Sequence, residues 1–115
     1  MIDRRLALAA LMLAASGSAA QGNKSMYGRV GKMKAVPGQR EALLAALQAG
    51  SRDMPGNLDY AIARDAADPD GLWIWERWIS AESHRASLAL PQVKHAITIG
   101  RPLIAAFDIS AELVF

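Results

Sequence analysis

The run Leu72–Trp78, with the sequence Leu-Trp-Ile-Trp-Glu-Arg-Trp, holds all three tryptophans of the chain. Side chains of a strand alternate between the two faces of its sheet. Leu72, Ile74, Glu76 and Trp78 therefore point one way, and Trp73, Trp75 and Arg77 the other. Large apolar groups on both faces demand cover on both faces. An aromatic side chain gains roughly 1.5–3 kcal/mol on full burial, so leaving Trp73 and Trp75 in water would forfeit several kcal/mol. Just upstream, Asp68-Pro69-Asp70-Gly71 is a strong turn signal: Pro presets the first turn angle, Asp can bond its own backbone, and Gly accepts a positive φ. It predicts a hairpin between the tryptophan strand and Leu58–Arg64, where Leu58, Tyr60 and Ile62 alternate with Asp59, Ala61 and Ala63.

The remaining elements follow from punctuation and period. Met26 to Val36 reads as a strand ended by Pro37-Gly38. Gln39 to Ala49 reads as a helix with Leu43, Leu44 and Leu47 on one stripe and Gly50 as its stop. Met54-Pro55-Gly56-Asn57 is a second turn segment. Ser80 can cap a helix running to about Leu88, and Pro91 suits the first turn of another that carries Val93, Ala96 and Ile97 and stops at Gly100. Phe107, Ile109, Ala111, Leu113 and Phe115 then alternate with Asp108, Ser110, Glu112 and Val114, a half-buried strand. The order is strand, helix, strand, strand, helix pair, strand. It specifies an α+β, ferredoxin-like antiparallel sheet with its helices on one face. The other face needs a second layer, which a homodimer paired through its sheet faces supplies, since a two-fold axis sets one patch against itself. The alternative is a monomer with partly exposed indoles.

Residues 1–20 have the layout of a signal peptide: Arg4-Arg5, an apolar run from Leu6 to Ala15, and the small residues Ser16–Ala20. The apolar run is too short for a bilayer-spanning helix. Cleavage near Ala20 predicts a periplasmic or secreted protein, with residues 21–25 a short polar lead-in and 26–115 one domain; with Met26 as the true start the protein is cytoplasmic instead. Arg4-Arg5 leaves Sec and twin-arginine export both open. The formal net charge is only +2, with basic and acidic residues interspersed, which argues against a nucleic-acid partner or, once the leader is gone, a membrane surface. The chain has no cysteine, hence no disulfide, thiolate nucleophile or thiolate metal ligand. Its two histidines lack paired ligand spacing, and neither a P-loop nor a Rossmann glycine signature occurs.

Val36-Pro37-Gly38-Gln39-Arg40-Glu41 before a Leu-rich helix, Leu58-Asp59-Tyr60, Arg64-Asp65, Asp68-Pro69 and Trp75-Glu76-Arg77-Trp78 before Ser80 together resemble the antibiotic biosynthesis monooxygenase family, over about Met26 to Phe115. The resemblance implies a dimeric α/β barrel with an apolar pocket between helices and sheet in each subunit. It further implies oxidation of a small aromatic or quinol by molecular oxygen with no cofactor and no metal. Histidines found in the family's quinol-oxidising members fall here on Ser87 and Gln92, and the histidine of its haem-degrading members falls on Leu88. Haem degradation is therefore disfavoured, and the acid/base residue does not carry over; this chain offers His84 and His95 instead.

Oxygenation without a cofactor needs an electron-rich phenolate or enolate, and so a base and a dry pocket. Trp78 and Ile74 are expected in the apolar wall, with Glu76 on their face and Tyr60 beside it if the hairpin keeps register. Tyr27 and Arg29 of the first strand are candidates for holding a substrate oxygen. His84 and Glu76 are the candidate catalytic groups, His84 because it titrates in the useful range. Each has a plainer reading. Trp78 and Tyr60 can be core, Glu76 can pair with Arg64 or Arg77, and His84, flanked by Glu82 and Arg85, can be a solvated helix residue. The rival function is a non-catalytic module of the cell envelope that binds a small hydrophobic molecule.

Overall fold

Two short turns of the same build set the chain's direction. In the computed structural model, which describes residues 25–115, Gln39 N–H donates to Val36 O and Asn57 N–H donates to Met54 O, closing Val36-Pro37-Gly38-Gln39 and Met54-Pro55-Gly56-Asn57. In each, Pro occupies the second place and a Gly at positive φ (81° at Gly38, 84° at Gly56) the third, the arrangement of a type II turn. The leader expected over residues 1–20 lies outside the described residues.

Around these turns fall the strands and helices the periodicity predicts: β1 (Tyr27–Ala35), α1 (Arg40–Gly50), β2 (Asn57–Arg64), β3 (Gly71–Trp78), α2 (Ala81–Ser87), α3 (Pro91–Gly100) and β4 (Ile104–Val114), with a 3-10 turn at Arg101–Leu103 joining the last two. The strands form one antiparallel sheet in the order β2-β3-β1-β4. Ser80 caps α2, its side chain accepting from Ser83 N–H, and Pro91 opens α3. The helices cover one face only. Under them sit Tyr27, Trp78, Met54 and Ala81 at one end, and Leu43, Leu44, Leu72, Ala35 and Ile104 at the other.

The α1–α3 contact is close because Gly50 has no side chain. A Cβ there would run into the Cβ of Ala96, whereas one at Gly100 would reach only ordinary contact, 3.4 Å from Leu43 Cδ1. Alanine is the better helix former by about 1 kcal/mol, so sterics decide the sign. Gly50→Ala is expected to lower unfolding stability by about 1–3 kcal/mol through overpacking, and Gly100→Ala to leave it unchanged or raised. Urea melts of the two variants check this.

Three local expectations change. Gly71 does not adopt a positive φ. It is needed for space, since its Cβ would lie 2.9 Å from Asp65 Cβ and 3.0 Å from Lys32 Cε. Leu58 is not in phase with Tyr60 and Ile62: Asn57 and Asp59 face Trp78 and Arg77 in succession, so Leu58 is the extra residue of a bulge and is exposed. In β4 a second bulge, at Asp108, sets Phe107 opposite Met33 but Ile109 opposite the adjoining Lys32. Phe107 therefore joins the core under the helices. Ile109, Ala111 and Leu113 turn to the open face, and Ser110 and Glu112 to the covered one.

The open face divides into a polar end and an apolar field. Asp65, hydrogen-bonded to Trp73 Nε1 at 2.7 Å, gathers with Asp68 and Asp108 around Lys32. Beyond them lie Trp75 (40 % exposed), Ile109 (45 %) and Phe115 (55 %), with Val30 and Ala111 between. Phe115 lies against Gly28, where a Cβ would meet it at 2.9 Å.

Candidate active site

Between the covered sheet face and the three helices is a cavity of about 230 Å³. Its wall is largely apolar, with Ile74 and Trp78 from β3, Leu47 from α1, Val93 and Ile97 from α3, and Phe107 from β4. The polar groups at its sheet end are Arg29, Tyr60, Glu76, His84, Ser87 and Ser110, with Lys32, Ser51 and Arg101 also on the lining. The strand alternation explains the convergence, because Glu76 stands opposite Arg29 on β1 and opposite Tyr60 on β2.

Glu76 is held from its own strand, Trp78 Nε1 donating to Oε1 at 3.0 Å. It pairs with neither basic residue proposed for it: Arg64 bonds Glu41 and Arg77 bonds Asp59. Burial pushes the Glu76 carboxyl up to about 6, against the opposing pull of the Trp78 N–H and the Arg29 charge. Tyr60, its hydroxyl buried beside Glu76, is raised well above the ordinary phenol value by burial and then by the Glu76 charge.

His84 is not a solvated helix residue; it is 6 % exposed. Its ring packs tilted against Tyr27 and edge-on to Trp78, with centroids 5.4 Å apart in each case. Nε2 lies 3.8 Å from Glu76 Oε1, too far for a hydrogen bond, and the buried Nδ1 has no protein partner. Burial, then the nearby Arg29 charge, pushes the imidazole down to about 4, so at neutral pH it is an uncharged ring beside a carboxylate. Ser87, where the resemblance expects a histidine, is one helical turn further on and lines the same cavity, its hydroxyl donating to His84 O at 2.6 Å. Positions three apart share a helix face. The histidine of this chain thus enters the cavity from one turn earlier. Gln92 instead bonds Arg52 O, and His95 is exposed.

Arg29, 5 % exposed, is fixed from below. Its Nη1 donates to the Tyr27 hydroxyl at 2.6 Å and lies 3.5 Å from Glu112 Oε2, and its Nη2 donates to Ser110 Oγ at 3.2 Å. Tyr27 in turn donates to Glu112 at 2.7 Å, and burial raises its phenol further. Tyr27 is therefore a brace for Arg29 and not part of the cavity wall. Ser110 and Glu112 are absent from the sequence-based set, because that reading put the odd-numbered residues of β4 on the buried face.

Of the predicted site residues, the structure brings His84, Glu76, Trp78, Tyr60, Ile74 and Arg29 to one cavity. Among the described residues no group of three or more His, Asp or Glu is placed to hold a metal ion, and no helix is long and apolar enough to cross a membrane.

The family model described as antibiotic biosynthesis monooxygenase matches residues 26–98. A crystal structure from Chloroflexus aurantiacus J-10-fl, named for that family, is 58 % identical with a TM-score of 0.78, covering 79 % of this chain and 93 % of its own. Two more distant structures share the fold. One, from Shewanella oneidensis, is 20 % identical (TM-score 0.71; 81 % of this chain, 93 % of that one). The other, from Pseudomonas aeruginosa, is 19 % identical (TM-score 0.70; 79 % and 94 %). No match was found among curated proteins. With its family model spanning most of the domain and the ferredoxin-like sheet in place, the chain belongs to the antibiotic biosynthesis monooxygenase family.

Proposed function

We propose that this protein oxygenates a small aromatic alcohol, of the quinol type, with molecular oxygen. The observation that carries this reading is the placement of a mostly buried carboxylate and a buried, uncharged imidazole at the polar end of an otherwise apolar cavity. A phenol gives up an electron readily only as its phenolate. Proton removal is therefore the step the protein must promote, and a group titrating near 6, as Glu76 does, is well matched to it at neutral pH. The dry wall keeps water from the reactive oxygen species. Overall, a hydroquinone and one O₂ give a hydroxyquinone and one water: one oxygen atom enters the ring, the other leaves as water, and the quinol hydrogens leave with it.

Size narrows the substrate. An apolar cavity of about 150 Å³ holds a benzene molecule, so 230 Å³ suits one or two rings. The test is oxygen consumption with benzo- and naphthohydroquinones under heavy-isotope oxygen gas. Uptake above the uncatalysed rate, with one labelled atom in the quinone, is the expected result. A rate equal to that of a Glu76→Gln, His84→Ala double variant removes the enzymatic reading.

A further inference from the structure

We propose that the gap between His84 Nε2 and Glu76 Oε1 reads hydroxyl groups, so that the pocket holds a quinol and rejects the quinone it becomes. The inference rests on the aromatic-alcohol reading above and adds a rule for which redox form binds.

The geometry comes first. The two atoms are 3.8 Å apart. One oxygen atom about 2.7 Å from the carboxylate and about 2.9 Å from the imidazole nitrogen closes that span with two ordinary hydrogen bonds. The tautomer follows from the surroundings: the ring packs against Tyr27 and Trp78, Nδ1 is buried without a protein partner, and Nε2 faces a carboxylate. The ring proton is placed best on Nε2, pointing into the gap, and the bare lone pair of Nδ1 stays in the aromatic box. The bridging group must then accept from His84 and donate to Glu76. A hydroxyl does both. A carbonyl or an ether oxygen only accepts, and it sets its lone pairs against the carboxylate.

The groups around Glu76 support this assignment from each neighbouring element. They are Arg29 from β1, with Tyr27 behind it, Tyr60 from β2, Trp78 Nε1 from β3, His84 from α2, and Glu112 from β4 behind Arg29, while Arg101 from the 3-10 turn lines the same cavity. Arg29 is already engaged by Tyr27, Glu112 and Ser110. It therefore steadies the charge at Glu76 without removing its capacity to accept. Once the ring is oxidised its hydroxyl becomes a carbonyl, the bridge to Glu76 is lost, and release is favoured. When the Glu76 carboxyl is protonated, it donates to a carbonyl instead, and the discrimination relaxes.

The experiment is anaerobic equilibrium titration, so that turnover plays no part, of the whole protein with naphthohydroquinone, naphthoquinone and the hydroquinone's dimethyl ether, at pH 7.5 and pH 5. Lacking cysteine, the chain forms no thiol adduct with the quinone. At pH 7.5 the hydroquinone is expected to bind about tenfold or more tightly than the other two, the worth of one charge-assisted hydrogen bond. At pH 5 the preference over the quinone should shrink to about threefold or less. In Glu76→Gln, whose oxygen stays on Trp78 Nε1 and in the gap but carries no charge, it should be about threefold or less at both pH values. Equal binding of hydroquinone and quinone at pH 7.5, or a preference that ignores both pH and Glu76→Gln, overturns the proposal while leaving the aromatic pocket in place. Failure of all three compounds to bind overturns both.

Discussion

Glu76→Gln is expected to make the protein more stable and nearly inactive at the same time. Glutamine keeps the volume of the side chain and an oxygen to accept from Trp78 Nε1, but it cannot take a proton from a substrate. Loss of a positioned base lowers turnover by about two to four orders of magnitude. The stability effect follows from linkage. The Glu76 carboxyl is raised to about 6 in the folded protein. Between its ordinary value, near 4.5, and 6, the folded state holds a proton that the unfolded state has released, so stability falls as pH rises through that window. Above pH 6 the full penalty, about 2 kcal/mol, is present, and the glutamine variant escapes it.

His84 runs in the opposite sense. It is depressed to about 4 from 6.5, so between those values the unfolded state holds the extra proton and stability rises with pH. In the parent protein the two slopes oppose each other between pH 4.5 and 6 and nearly cancel. Removing Glu76 exposes the histidine slope. Thermal melts across pH 4 to 8 should show a midpoint that climbs steadily to about pH 6.5 in Glu76→Gln, against a flatter parent curve and a higher plateau above pH 7. A variant that is less stable than the parent at pH 7.5 would contradict the assignment of Glu76 as a strained, buried anion.

Much of this site is legible in the sequence because strand alternation is a strict rule. Once Leu72–Trp78 is a strand and Asp68–Gly71 its turn, Ile74, Glu76 and Trp78 share a face, and an in-register hairpin puts Tyr60 beside Glu76, as the pairing has it. Arg29 followed the same rule on β1. The misreadings arose where the alternation breaks. A bulge has no sequence signature as clear as a turn's, and the one at Asp108 exchanges the faces of everything after it. That exchange delivers Ser110 and Glu112 to Arg29, and an apolar 109–111–113 series to the open side. Two polar residues alternating with three apolar ones fit either assignment. The arginine on β1, a buried cation in need of partners, was the available hint that the polar set faces inward. The burial of His84 was not legible for another reason. Glu82, His84 and Arg85 look like a solvated helix turn, and only the packing of α2 over Tyr27 and Trp78 brings the imidazole inside.

Trp75→Glu is expected to abolish self-association, and with it part of the activity. The open sheet face offers Trp75, Ile109, Phe115 and Val30 as one apolar field beside an ionic cluster centred on Lys32. A surface of that kind suits a self-complementary two-fold contact, and we propose a second copy of this chain as its cover. By symmetry one substitution places two carboxylates in the contact. Each is buried without a partner at a cost of several kcal/mol, enough to raise the dissociation constant at least about a thousandfold. Because Trp75 is already 40 % exposed on the open face, the protomer itself should remain folded. Light scattering at micromolar concentration should give a dimer for the parent and a monomer for the variant; a parent that is already monomeric sinks the proposal. The consequence for chemistry comes from alternation once more. Trp75 and Glu76 are neighbours on β3, as Val30 and Arg29 are on β1, so the strands clamped by the partner are those that aim the carboxylate and its guanidinium. Diluting the parent below its dissociation constant should therefore lower turnover per subunit, and Trp75→Glu should show that lower rate at every concentration.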